Sequence, residues 1–211
     1  DALFTKVGRL QFILLYGIFL GFVAIGQRFV VLWGGGEAFA VDYWTTLLLF
    51  FATLWTNIQT IGIEIQRAKN MHKFRSLVYL GVALANTAIS IPLCMKWQGL
   101  GAAVGTAIAT FVGNGLLMNW YYGHRIGLNI HAFWRHIAHL FPAAVLPTAA
   151  AVLLAVYTHP QSYLDLILPG CVIVAVYGLS MWLFGMNRSE RDLIARPVRR
   201  ILGRGGGRRA A

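Results

Sequence analysis

The sequence predicts an all-α fold, a polytopic bundle of six transmembrane helices. Three observations lead there. Only 12% of the 211 residues are charged and 58% are hydrophobic, whereas soluble domains are about a quarter charged. The apolar residues fall into six runs of twenty or more, at 11–33, 43–66, 76–96, 99–122, 137–157 and 164–185. Each is long enough to cross a hydrocarbon core of about 30 Å as a helix, which satisfies its own backbone where no water is available. Finally, 16 of the 18 Lys and Arg residues lie before the first run, in every second connection, or after the last run. That is a positive-inside pattern with both ends cytoplasmic. Trp33, Trp44 and Trp97 mark the outer ends, and Trp120, Trp134 and Trp182 the inner ends, as aromatic belts do.

The first run follows Lys6 and Arg9. No small-residue cleavage pattern succeeds it, so it is not read as a signal peptide. The chain opens on Asp1 rather than Met, and a missing N-terminal half of the same chain is the expectation. Arg28 lies one turn inside Trp33. It either snorkels to the outer interface or faces the lumen and attracts an anionic head group. The connection 34–42 carries Glu37 and Asp42 and no basic residue.

The second run, YWTTLLLFFATLWTNIQTIGIEIQR, carries the clearest functional signal. Thr46, Thr53, Asn57, Thr60, Glu64 and Arg67 recur at helical spacing, with Thr56 and Gln59 beside them. Polar groups in hydrocarbon are costly unless they are paired or face a cavity. One continuous polar face therefore points to a substrate pathway or to a polar helix partner. Glu64 is the one acid well inside a run and lies within helical reach of Arg67. A local ion pair competes here with a coupling carboxylate. Arg67, Lys69, Lys73 and Arg75 then form the first basic inner connection.

The third run has a short polar face of Tyr79, Asn86 and Ser90, and Pro92 is expected to kink its outer end. The link at Trp97 and Gln98 leaves room only for a tight antiparallel hairpin. In the fourth run, KWQGLGAAVGTAIAT invites a dinucleotide-loop reading. However, a preceding strand and an acid about twenty residues on are both lacking. Gly101, Gly105, Ala109 and Gly113 instead recur every four residues, which lets two membrane helices approach closely.

Pro142 and Pro147 are expected to kink the fifth helix. After the sixth, the tail 187–211 is basic. Ser189 and Asp192 resemble a capping pair, and Leu193, Ile194, Val198, Ile201 and Leu202 gather on one side among arginines. Such a segment lies along an anionic inner leaflet, so membrane lipids are expected partners. The net charge of +11 is spread over every inner connection, which argues against nucleic acid as a partner. His136 and His139 share a helix face, but no Cys or carboxylate joins the histidines, so no metal is expected. Cys94 and Cys171 form no paired motif. No nucleophile, base and orienter assemble, so neither an enzyme nor a cofactor is expected.

Three segments in order, FVVLWGGGEAFA, IEIQRAKNMHKFRS and NTAISIPLCMKWQGLGAAVGTAIAT, together resemble the C-terminal half of a polysaccharide flippase. These exporters of lipid-linked oligosaccharide are related to multidrug and toxic-compound extruders. The resemblance covers about residues 6–125 and implies two lobes around a central cavity that opens alternately to each side of a bacterial inner membrane. It implies a lipid-linked oligosaccharide as cargo, with residues 1–125 as part of the second lobe and 126–186 as two added helices. Implied pathway residues are Arg28, Thr53, Asn57, Thr60, Glu64, Arg67 and Asn86. A cation-coupled multidrug extruder of the same superfamily and a non-transporting membrane scaffold subunit are the alternatives.

Overall fold

A computed structural model describes residues 1–158, 160–193 and 195, with the His72 side chain left aside. Among these residues the protein is helical, with no strand. Helix α1 spans Ala2–Gly34 and ends on Gly35 in the left-handed conformation (φ 83°). A short 3-10 segment, Glu37–Val41, leads into α2 (Asp42–Asn57). Helices α3 (Thr60–Ala68) and α4 (His72–Thr110) follow. The chain continues through a π-helical stretch, the short α5 (Met118–Tyr121) and a second π stretch. The chain closes with α6 (Ile130–Ala138), α7 (Phe141–Tyr157) and α8 (Ile167–Ser180), which runs on as a π turn to Gly185.

By length and composition, four helical stretches are able to cross a membrane: Ala2–Gly34, Glu37–Ala68, Lys73–Ile126 and Ile167–Gly185. A fifth exists if α6 and α7, bent by 47°, count as one span. The longest is not straight. Gln98 leaves the helical region (φ 51°, ψ −130°), and the chain doubles back there. Tyr79 Oη donates to Asn114 Oδ1 at 2.7 Å, and Asn86 Nδ2 to Thr106 Oγ1 at 3.3 Å. A straight helix would hold residues 79 and 114 about 50 Å apart. The expected hairpin is therefore present. Its reversal is at Gln98, six residues beyond Pro92.

Two other runs are interrupted within their length. The second breaks at Ile58 and Gln59 between α2 and α3. Thr60 Oγ1 donates to the Asn57 carbonyl there at 2.6 Å, taking up an acceptor that the interrupted ladder leaves open. The fifth begins earlier than expected, in α6, and turns at His139 and Leu140. Pro142 therefore does not kink a helix. It stands in the first turn of α7, where its missing N–H costs nothing.

Helix α1 is the centre of the bundle. Phe4, Phe12, Ile13, Leu20 and Ala24 are buried along it. Phe4 stacks on Phe133 of α6 at 4.4 Å. Tyr177 of α8 donates to the Ile13 carbonyl at 2.6 Å, Tyr16 bonds Thr148 of α7 at 2.9 Å, and Ser180 bonds the Ala143 carbonyl. One core thus joins segment 1–125 to segment 126–186. Leu77, Leu80, Leu84, Ile91 and Met95 of α4, with Val145, Leu146, Leu153 and Val156 of α7, turn outward. An apolar exterior of this extent suits lipid better than water.

Candidate functional site

The hairpin seam is built from the small residues. Gly101, Gly105, Ala109 and Gly113 are all buried. A Cβ at Gly101 would overlap the Leu93 carbonyl, one at Gly105 the Ser90 hydroxyl, and one at Gly113 the Val82 side chain. This close approach brings Asn86 into the seam, where Ser90 Oγ donates to its Oδ1 at 2.9 Å. The structure thus turns Asn86 toward the opposite arm and not onto the face of α2 and α3.

The remaining predicted residues divide by face. Leu54, Ile58, Gly62 and Gln66, four apart, are buried and turn inward. Thr46, Thr53, Asn57, Glu64 and Arg67 are exposed, and Thr60 is half-buried. Thr53 satisfies its hydroxyl on the Leu49 carbonyl of its own helix. Glu64 pairs with Arg67 at 2.9 Å, with both side chains more than half exposed. The polar face is thus real and looks away from the bundle. Arg28 lies apart from it near the end of α1, where its guanidinium meets Glu37 at 3.0 Å.

At the opposite end, α3 and the start of α4 enclose a polar recess of about 570 Å³, lined by Ile63, Gln66, Arg67, Arg75, Ser76 and Tyr79. Arg75 lies over the Tyr79 ring at 4.7 Å and donates from Nη2 to its hydroxyl at 2.7 Å. Tyr79 passes the chain of hydrogen bonds to Asn114. Gln66 is fully buried, and neither atom of its amide has a partner among the described residues. Arg75 Nη1 is likewise buried and unpartnered. Lys69 donates to the Ile126 carbonyl at 2.9 Å, tying the end of α3 to the end of the hairpin.

The same end holds a pair that sequence reasoning missed. Arg9, counted in the sequence only among the basic residues before the first run, is buried, and so is Glu190. Arg9 Nε donates to Glu190 Oε1 at 2.7 Å and Nη2 to Oε2 at 3.1 Å. Nη1 also donates to the His136 carbonyl and Nη2 to the Gly185 carbonyl. One guanidinium thereby ties α1 to α6 and to both sides of the α8 exit. Glu190 also accepts the Asn187 N–H at 2.8 Å. The cap of the following turn is therefore Asn187 with Glu190, three residues on, and not Ser189 with Asp192. Burial pushes the Glu190 carboxyl up. Hydrogen bonds from Arg9 and Asn187, with the charges of Arg9 and Lys6, outweigh that and hold its pKa below the ordinary value. A signal for Arg9 does exist in the sequence: it is in helical phase with Ile13, Leu20 and Ala24. The amphipathic tail residues Ile194, Val198, Ile201 and Leu202 lie outside the described residues.

The chain matches no protein family, no curated protein and no solved structure with which it was compared.

Proposed function

We propose that this chain is part of a membrane transporter that moves a lipid-linked oligosaccharide from the inner to the outer leaflet for cell-surface polysaccharide synthesis. The observation that carries the reading is the outward polar face of α2 and α3, where Thr53, Asn57, Glu64 and Arg67 are exposed. Facing lipid, such a stripe would be costly; lining a wet cavity, it would not. In this reading both hairpin arms cross the bilayer, which with the bent α6–α7 pair makes six spans with both ends cytoplasmic. The membrane is a bacterial plasma membrane, and the second cavity wall comes from another lobe of the same transporter. Arg67 and Arg75 at the inner end suit a phosphate-bearing cargo electrostatically. The Glu64–Arg67 pair leaves little support for a coupling acid of the kind a cation-driven drug extruder needs.

The test is the paired substitution Asn57→Leu and Thr60→Leu in the full-length chain. Surface glycan should be lost while the protein still reaches the membrane. A scaffold subunit would gain apolar surface and keep its role, so unchanged surface glycan would end the transporter reading.

A further inference from the structure

The geometry points to a phosphate-binding site in the recess between α3 and the first arm of the hairpin, held by Arg75 and Gln66. Two unsatisfied groups converge there. A buried amide or guanidinium N–H without a partner carries an uncompensated desolvation cost, so each such group is a place where water or a ligand supplies the missing bond. Gln66 has 0% exposure and no partner for its amide among the described residues. Arg75 Nη1 is in the same state, while its Nη2 is fixed by Tyr79, which Asn114 holds in turn. The guanidinium is therefore oriented before any ligand arrives. Among the described residues no carboxylate lines the recess, and Arg67 at its rim is paired with Glu64, which leaves Arg75 as the cation without a carboxylate partner there. An oxyanion with several acceptor oxygens is what such donors fit, and a guanidinium fork matches phosphate geometry. At about 570 Å³ the space takes a phosphate with its ester substituent. The recess also lies at the end of the bundle that carries Lys69 and Arg9.

Phosphate here has two possible sources, an anionic phospholipid headgroup or phosphate in solution. Neither requires transport, because a scaffold with this recess would bind the same group. The experiment titrates the purified full chain in detergent with phosphatidylglycerol, with phosphatidylcholine as comparator, and counts bound lipid by native mass spectrometry. A parallel titration uses inorganic phosphate. Phosphatidylglycerol should bind more tightly than phosphatidylcholine, and Arg75→Gln should weaken it about tenfold, the scale of one charge-assisted hydrogen bond. Gln66→Leu, which replaces an unsatisfied amide with an apolar group of similar size and should fold at least as well, weakens it several-fold. Lys73→Gln, an exposed neighbour, should change it little. If inorganic phosphate does not displace phosphatidylglycerol, the bound group is a headgroup. If phosphate alone binds with the same dependence on Arg75, the source is solution. The inference is overturned if Arg75→Gln or Gln66→Leu binds phosphatidylglycerol as tightly as the unaltered chain. It is equally overturned if Lys73→Gln loses as much as Arg75→Gln.

Discussion

Two ion pairs stand near the same end of this bundle, and they differ in nearly every respect. Glu64 and Arg67 are three residues apart on one helix face and open to the surroundings. Arg9 and Glu190 are 181 residues apart, doubly bonded and buried, with two further carbonyls on the guanidinium. The first pair decorates a surface. The second sets where three helices meet. Charge type and spacing identify a local pair, but a long-range pair depends on which way a helix turns, and that is decided by packing.

The largest effect expected from this contrast is on stability. Glu190→Ala leaves Arg9 buried without its carboxylate and should cost on the order of 3–5 kcal/mol, measured by denaturant unfolding in detergent. Replacing both partners together, Arg9→Met with Glu190→Leu, should recover much of that loss. If the single and double variants are equally unstable, the carbonyl bonds to Arg9 matter more than the carboxylate.

A smaller effect is pH-dependent. The folded Glu190 has a pKa below the ordinary carboxylate value of 4.5, so it binds a proton less readily folded than unfolded. Its contribution is fully present above pH 4.5 and is lost as pH falls below that value. Arg9→Met should flatten this part of an acid titration. A profile unchanged by Arg9→Met would mean that Asn187, and not Arg9, holds the carboxylate charged.

The smallest effect belongs to the exposed pair. Glu64→Gln should change stability by less than about 0.5 kcal/mol, as solvated helix pairs do. A loss of several kcal/mol would mean that this face is dry in the assembled protein, covered by a partner and not by water.

The membrane-length apolar runs, the hairpin and the polar stripe on α2 and α3 were legible in the sequence because each rests on local periodicity. The hairpin is the clearest case: one short link and small residues every fourth position led to a reversal that the Tyr79–Asn114 and Asn86–Thr106 bonds display. The break after Asn57 was not legible, since Ile58 and Gln59 carry no Pro or Gly to mark it. The bend before α7 was misread because Pro142 suggested a kink inside a helix when it starts one. Arg9 was counted only toward the basic side, and its burial was not foreseen. Its phase with Ile13 and Leu20 was the better guide. Gln66 was passed over for the same kind of reason. It continues the buried series Leu54, Ile58 and Gly62 while its neighbours Glu64 and Arg67 draw attention to the other face.

The separation of Arg9 and Glu190 also has a meaning in time. A ribosome adds about 5–20 residues per second, so Glu190 is made roughly ten to forty seconds after Arg9. Throughout that interval α1 holds a guanidinium whose partner does not yet exist. The growing chain therefore carries its own marker of incompleteness, erased only when the segment after α8 emerges and docks. A nascent chain stalled before that segment would keep Arg9 on α1 without its carboxylate.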